Sequence, residues 1–262
     1  KQAKAAHNLL PSLLAPAGRS ELMRGLRERV QQYARHDGSV LISGEPGTGR
    51  SAFARYMHAL SHRADGPLTR LTAASVTNAD VEEQLLGKEK NGEAVAGFFE
   101  RASGGTLLID DLGDLNEAAQ KLLVGVLDDG HFTRVGGSAP IKLDARVVAT
   151  IDVDYEANVQ EQRLRRDLVA HLSELTLRVP PLRDYAEDIP DLLSYYVDKL
   201  VDAEGLTFRR FSVAAQNRLR NYPWPDNVRE LKNLVRRLLL SDSDDDIELE
   251  EVEAEISAAG AA

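Results

Sequence analysis

The sequence predicts an α/β fold, in which a parallel sheet carries helices on its faces and a small helical subdomain follows. Short apolar runs typical of buried parallel strands occur at Val40–Ser43, Thr106–Ile109, Arg146–Thr150 and Leu175–Val179. Segments with helical spacing separate these runs, and such alternation indicates a parallel sheet. After Pro180 only helical patterns remain, so the helical subdomain is predicted at the carboxyl-terminal end.

Helical periodicity defines the segments between and after the strands. After the first strand, apolar residues recur at i, i+3, i+4 and i+7, at Phe53, Tyr56, Met57 and Leu60. The same kind of spacing predicts helices at 114–129, 186–203, 212–221 and 226–240. The segment 241–256 is acidic, and Ala258–Ala262 is expected to be a frayed end or the start of a linker.

Composition excludes several classes of protein. The 262 residues are 43% hydrophobic and 28% charged, typical of a globular chain of one or two domains without a membrane span. The absence of cysteine excludes disulfides and cysteine-ligated metals and favours a cytoplasmic location. A net charge of −10 argues against a general nucleic-acid binder. The chain begins without methionine, so it is expected to be part of a longer protein.

A phosphate-binding loop is predicted directly after the first strand. Its eight residues are Gly44, Glu45, Pro46, Gly47, Thr48, Gly49, Arg50 and Ser51, with arginine where the pattern has lysine. A strand, a glycine-rich turn and a helix bring backbone N–H groups and a helix N-terminus together, which suits a phosphate chain. Ser51 can supply a hydroxyl for Mg²⁺. The alternative is an ordinary glycine-rich turn.

Arg50 affects binding and hydrolysis differently. A guanidinium keeps the positive charge and binds phosphate well, but it is larger than an ammonium and planar. We therefore expect nucleotide binding to be retained and efficient hydrolysis to be lost.

A second motif, Asp110-Asp111, ends the strand at Thr106–Ile109. In NTPases with a phosphate-binding loop, the first acid of such a pair holds Mg²⁺ directly or through water. Asp110 is therefore a predicted metal residue together with Ser51. Solvated acids at the end of a strand are the alternative interpretation.

Further motifs in a fixed order carry a family resemblance. They are Gly104–Leu115, Gln120–Leu123, Phe132–Gly137, Val179–Arg183, Glu187–Pro190 and Trp224–Leu231. From about Gly18 to about Leu240 the chain resembles the central AAA+ domain of bacterial enhancer-binding proteins, the NtrC-type sigma-54 activators. It differs from them enough to be a divergent member.

The resemblance implies a P-loop NTPase core with a five-stranded parallel sheet between helices, a helical lid, and bound ATP or ADP with Mg²⁺. The implied organisation is a linker at 1–20, an α/β nucleotide-binding subdomain at 21–185, a lid at 186–256 and a tail at 257–262. Such domains form rings, although a dimer is an alternative here. Full-length members, many of them two-component response regulators, add a sensory domain before this domain and a DNA-binding helix-turn-helix domain after it. Neither falls within this sequence.

Several positions depart from the family pattern around the reaction centre. Asp111 falls where the resemblance places the catalytic glutamate and is one methylene shorter. Thr72 replaces an asparagine that switches this glutamate, and Ile151 replaces a polar sensor of the γ-phosphate. Small displacements of catalytic groups can cost about 10²-fold in rate.

The arginines of the family are partly retained. Arg165 matches the first of two arginines that act on the neighbouring subunit, while His171 replaces the second. Arg229 matches the lid arginine that senses the γ-phosphate. A solvated surface arginine is the alternative for Arg165, and a salt bridge within the lid is the alternative for Arg229.

The loop that contacts sigma-54 in the family is altered as well. The interval Asn91–Gly97 is shorter than the family loop and lacks its phenylalanine-threonine pair. Together these departures predict a nucleotide-binding regulatory domain that hydrolyses ATP weakly or not at all and is not a sigma-54 activator. One alternative is an active ATPase that remodels RNA polymerase holoenzyme. Another is a nucleotide-free oligomerisation module. Cyclic di-GMP is the ligand considered for such a module, and no particular residue of the sequence supports it.

Overall fold

The computed structural model describes residues 15–241, 243 and 245–260. Packing divides them into two units, of which the first contains Arg29–Gly44 and Arg50–Arg178. The second contains Pro16–Glu28, Glu45–Gly49 and the chain from Val179 onward. The predicted linker lies outside the described residues up to residue 14. The predicted subdomain 21–185 differs from this division at 21–28, 45–49 and 179–185.

The strands are short and all belong to the first unit. They are β1 (Val40–Ser43), β2 (Leu68–Thr72), β3 (Gly87–Lys90), β4 (Glu93–Ala96), β5 (Thr106–Asp110), β6 (His131–Thr133), β7 (Pro140–Lys142), β8 (Arg146–Ile151) and β9 (Leu175–Arg178). Five of them form a parallel sheet in the order β2-β5-β8-β1-β9. β3 pairs with β4, and β6 with β7, in antiparallel hairpins.

The helices are α1 (Glu21–Ala34), α2 (Arg50–Leu60), α3 (Val81–Leu86), α4 (Phe98–Arg101), α5 (Glu117–Asp129), α6 (Tyr155–Gln160), α7 (Arg166–Leu172), α8 (Ile189–Glu204), α9 (Val213–Arg220), α10 (Asn227–Leu239) and α11 (Leu249–Gly260). The prediction of an α/β fold with a parallel sheet and carboxyl-terminal helices is confirmed. Among the described residues, no helix combines the length and apolar character needed to cross a membrane.

Burial explains why the central strands form. Every residue of β5 and β8 is buried, as expected for strands with helices on both faces of the sheet. The strand register places Thr72 opposite Asp110, and Ser43 opposite Ile151. The carboxyl ends of these strands therefore share one edge of the sheet, and the candidate site lies there.

The predicted starts of two helices need correction, and one of them is α8, which begins at Ile189 rather than at residue 186. α5 begins at Glu117 rather than at residue 114, because the Asn116 side chain caps it by accepting a hydrogen bond from Ala119 N at 2.8 Å. α11 extends to Gly260, into the interval Ala258–Ala262 for which a frayed end or the start of a linker is predicted. Val252 on α11 is fully buried, which anchors this helix.

The interval predicted as an altered loop is part of a tight hairpin. β3 and β4 are joined by Asn91 and Gly92, both with positive φ, at 54° and 79°. Positive φ at both central residues is the requirement of the two-residue turn that fits the twist of a hairpin. All four residues of β4 are exposed.

Candidate functional site

The first unit positions Arg50 and Ser51 at the start of a helix. α2 begins at Arg50, directly after the glycine-rich turn that follows β1. Gly44 N donates a hydrogen bond to Ile151 O at 3.2 Å, which fixes the start of the turn beside β8. The first residues of α2 thereby lie at the carboxyl edge of the sheet.

Asp110 is the centre of a hydrogen-bond network. Its Oδ1 accepts hydrogen bonds from the Ser51 hydroxyl at 2.7 Å and from the Thr150 hydroxyl at 2.6 Å. Its Oδ2 accepts hydrogen bonds from Arg70 Nε at 2.9 Å and from Arg70 Nη2. The Asp110 side chain is only 5% exposed, whereas the Arg70 side chain is 57% exposed. The carboxylate is therefore buried and fully hydrogen-bonded.

The charge state of Asp110 gives a pH prediction. Burial raises the pKa of this carboxyl, but hydrogen bonds from Thr150, Ser51 and Arg70 outweigh burial and hold the pKa below its ordinary value. A carboxyl with a lower pKa in the folded than in the unfolded state stabilises the fold above the unfolded pKa of about 3.9. This contribution disappears as the pH falls through the folded pKa.

We expect the stability difference between wild type and Asp110→Asn to be largest near pH 7 and to shrink below about pH 4. Urea unfolding of both proteins between pH 7 and pH 3 measures this difference. A difference that stays constant over the whole range would contradict the assigned charge.

Arg50 and Asp111 form an ion pair. Arg50 Nη2 lies 2.7 Å from Asp111 Oδ1, and the Arg50 side chain is 12% exposed. Asp111 adopts the left-handed conformation, with φ 57°, and its N–H donates to Thr150 Oγ1 at 2.9 Å. Such backbone strain in a non-glycine residue is frequent at functional sites. Thr150 therefore links the two acids through one hydroxyl.

One guanidinium nitrogen of Arg50 has no partner. Arg50 Nη1 is buried and makes no hydrogen bond among the described residues. An unsatisfied buried donor is costly, and on a charged group more so. An anion such as phosphate would satisfy it, so the residues at the start of α2 fit a phosphate group.

Mg²⁺ does not fit Asp110 as the side chains stand. A carboxylate offers about four lone-pair positions, and at Asp110 these accept from Ser51, Thr150 and twice from Arg70. A cation held directly or through water would also lie beside the charge of Arg70. The Mg²⁺ site predicted at Ser51 and Asp110 thus stays a prediction.

The middle of the loop, Glu45–Gly49, packs in the second unit. Gly47 has φ 78°, and a Cβ there would lie 2.2 Å from Asp226 O. Asn227 Nδ2 donates to Pro46 O at 3.0 Å and to the Glu45 carboxylate at 3.2 Å. The loop conformation is therefore fixed by Asp226 and by Asn227, the first residue of α10.

Arg229 also lies beside this loop segment. Arg229 N donates to Gly47 O at 3.1 Å. Its guanidinium donates to both carboxylate oxygens of Asp226, at 2.7 and 2.6 Å, with the side chain 57% exposed. The role of Arg229 as a phosphate sensor stays a prediction.

In the first unit, Arg165 directly precedes α7 and His171 lies on that helix. The Arg165 guanidinium donates to both oxygens of Asp167, at 3.0 and 2.6 Å. His171 Nε2 lies 2.8 Å from Asp128 Oδ1. Both side chains are thus paired within their own chain, and the catalytic role of Arg165 stays a prediction.

Sequence reasoning missed two residues of the network. Thr150 is fully buried and lies one residue before Ile151. A hydroxyl at the end of an otherwise apolar strand was the signal that could have identified this residue. Arg70 gave no signal, because its strand was not predicted. Ile151 is 1% exposed, and Thr72 is exposed.

Comparison with known proteins identifies the family. The family model described as the sigma-54 interaction domain matches residues 17–178, and that of the AAA+ ATPase lid domain matches residues 183–262. The chain belongs to the sigma-54 interaction domain family. The resemblance stated from the motifs is confirmed, and the parallel sheet is that of an AAA+ P-loop NTPase.

Curated relatives of this sigma-54 interaction domain are transcriptional regulators. The DNA-binding transcriptional regulator NtrC of Rhizobium meliloti is 39% identical over 244 residues, which are 91% of this chain and 50% of that protein. The nitrogen assimilation regulatory protein NtrX of Azorhizobium caulinodans is 36% identical over 235 residues, covering 88% and 52%. The chain spans about half the length of the curated relatives it matches.

Solved structures give the same assignment. NtrX from Brucella abortus in complex with ATP has a TM-score of 0.85 and 30% identity, covering 99% of this chain and 62% of that chain. The complex of that protein with ADP has a TM-score of 0.83 and 28% identity, covering 99% and 65%. The sigma-54 interaction domain described above is therefore homologous to NtrC- and NtrX-type regulators.

Proposed function

We propose that this chain is the central regulatory domain of a bacterial transcriptional regulator and that it binds ATP or ADP but hydrolyses ATP slowly or not at all. The observation that carries the proposal is the state of Arg50. Its Nη2 pairs with Asp111, and its Nη1 is buried without a hydrogen-bond partner among the described residues. This arrangement favours a bound phosphate and disfavours turnover.

Nucleotide binding is supported by the buried Arg50 Nη1 and by the start of α2. A guanidinium of this kind gains a charge-assisted hydrogen bond when a phosphate oxygen reaches it. The N-terminus of α2 adds N–H groups and a partial positive charge. The homologous NtrX of Brucella abortus has been solved with ATP and with ADP.

Weak hydrolysis is supported by the position of Asp111. Asp111 stands where the family has a glutamate that orients the attacking water, and its side chain is one methylene shorter. Arg50 Nη2 donates a hydrogen bond to its Oδ1 at 2.7 Å. A carboxylate oxygen that is already paired with a guanidinium is less available to accept a proton from the attacking water. Ile151, where the family has a polar sensor, is buried and cannot form a hydrogen bond with its side chain.

A role other than sigma-54 activation is supported by the β3–β4 hairpin. The two-residue turn at Asn91 and Gly92 closes the chain where the family carries its longer sigma-54 loop. The end of the hairpin away from the turn is fixed, because Val135 N donates a hydrogen bond to Gly87 O at 2.9 Å. It therefore offers neither the length nor the phenylalanine-threonine pair of the family loop.

The remaining roles belong to the whole protein. We propose that the domain self-associates as a dimer or ring, with Arg165 facing a neighbouring subunit and Arg229 sensing nucleotide. DNA contact would come from a helix-turn-helix domain elsewhere in the protein, and RNA polymerase would be the partner of the assembly.

Calorimetric titration with ATP tests the proposal. We expect wild type to bind at micromolar affinity with turnover below about 0.01 s⁻¹, well under the roughly 1 s⁻¹ at the lower end of typical enzymes. Arg50→Ala should lose about 10- to 100-fold in affinity, since it removes hydrogen bonds from a charged group. Arg55→Ala, an exposed arginine on the same helix, is the matched control and should bind like wild type.

The outcomes separate the alternatives. Turnover near 1 s⁻¹ or above, abolished by Asp111→Ala, would establish the active ATPase instead. If wild type binds no ATP but Arg50→Lys does, Arg50 closes the site and the chain is a nucleotide-free oligomerisation module.

A further inference from the structure

Arg70 places a cation at the carboxylate of Asp110. Arg70 lies on β2, at the edge of the sheet, and its Cα is paired with Leu108 of β5. Asp110 is two residues further along β5, on the same face of the sheet. The long arginine side chain reaches forward to it, and both Nε and Nη2 donate to Oδ2.

This contact occupies the position that a divalent cation would need. The other oxygen, Oδ1, already accepts from Ser51 at 2.7 Å and Thr150 at 2.6 Å. A cation at Asp110 would have to displace the guanidinium or lie beside its positive charge. Either event is unfavourable, because two hydrogen bonds and one ion pair would be lost or two cations brought together.

Two arginines are thus available for the negative charges of the site. Arg50 Nη1 offers an unpaired buried donor, and Arg70 neutralises the acid that would otherwise repel a phosphate. In an NTPase with a free acid here, the divalent cation performs that neutralisation.

We propose that Arg70 takes the place of the divalent cation beside Asp110, so that this chain binds a nucleoside diphosphate or triphosphate without Mg²⁺. The inference rests on the proposed nucleotide binding and adds its cation independence. Arg70 acts through Asp110 and is in this sense a positioning residue.

Calorimetric titration with ADP, once with Mg²⁺ and once with EDTA, tests the inference. Wild type should show affinities within about threefold of each other in the two buffers, because the cation adds no contact at Asp110. Arg70→Ala frees the carboxylate and should bind roughly tenfold or more tightly with Mg²⁺ than with EDTA, the effect of regaining an interaction between charged groups. Arg70→Lys keeps the charge and should show a smaller ratio than Arg70→Ala.

A matched control is Arg55→Ala, which should keep the wild-type ratio. A purely structural role for Arg70 would weaken binding equally in both buffers and leave the ratio unchanged, which would overturn the inference. A wild-type protein that requires Mg²⁺ by tenfold or more would also overturn it, although nucleotide binding itself would stand.

Failure of the proposed function has a different signature. If wild type binds ADP in neither buffer but Arg70→Ala binds it with Mg²⁺, the nucleotide proposal fails while the exclusion of the cation by Arg70 is supported. If no variant binds ADP in either buffer, both proposals are overturned.

Discussion

Gly47→Ala is expected to lower the free energy of unfolding by about 3 kcal/mol or more and to abolish measurable ADP binding. A Cβ at this position would lie 2.2 Å from Asp226 O, a backbone atom that cannot rotate away. The left-handed φ of 78° adds strain for any residue with a side chain. The loop would shift, and with it the N–H groups that we propose surround a phosphate. Urea unfolding and ADP titration measure the two effects.

Gly92→Ala provides a matched control for this prediction. Gly92 has φ 79°, nearly the same as Gly47, but a Cβ there meets nothing within 4 Å. The Gly92→Ala substitution should lower the free energy of unfolding only by the conformational strain of about 1–2 kcal/mol and should leave ADP binding unchanged. Equal losses at both glycines would show that the close approach of Asp226 is not important.

The second large effect is expected at Asp110. Asp110→Ala should lower the free energy of unfolding by about 3 kcal/mol, because the hydroxyls of Ser51 and Thr150 lose a buried charged acceptor. The contact with the half-exposed Arg70 should add little, since exposed ion pairs contribute about 0–1 kcal/mol. Denaturant unfolding at pH 7 measures the loss.

Two further variants test the cause of that loss. Asp114→Ala removes an exposed acid from the turn that follows and should change the stability by less than about 0.5 kcal/mol. Asp110→Asn keeps one acceptor oxygen and should be less destabilised than Asp110→Ala. A loss at Asp114 as large as at Asp110 would contradict a specific role for the buried network.

The central strands could be predicted because burial on both faces leaves a direct mark on the sequence. Val40–Ser43 was delimited as observed, since its apolar run ends at the phosphate-binding loop. β2 left no such mark, because Leu68–Thr72 lies at the sheet edge and only Leu71 is buried. Arg70 was missed for the same reason, and with it the cation beside Asp110.

The contacts of the site were predictable only in part. Motif spacing brings Ser51 and Asp110 to one edge of the sheet, as observed. The hydrogen bonds from Thr150 and Arg70 depend on the register of neighbouring strands, which a single sequence does not specify. The pairing of Arg50 with Asp111 likewise depends on the left-handed turn at Asp111.

The last helix shows a different limit of sequence reasoning. α11 is rich in glutamate and was interpreted as an acidic tail. One of these acids, Glu251, binds Arg209, whose side chain is only 1% exposed. A buried arginine creates a need for an acid on a distant segment, and such a need cannot be recognised from local periodicity.

The strand order has a consequence for how the first unit folds during synthesis. β1 is made early, yet it pairs with β8 and β9, which begin at Arg146 and Leu175. Such distant pairing makes folding slow, because a long segment must be brought together before contacts compensate for the lost entropy. The sheet cannot close until the chain beyond Arg178 has left the ribosome. Until then the side of β1 that pairs with β9 lacks its partner strand, and other chains or a chaperone can bind there.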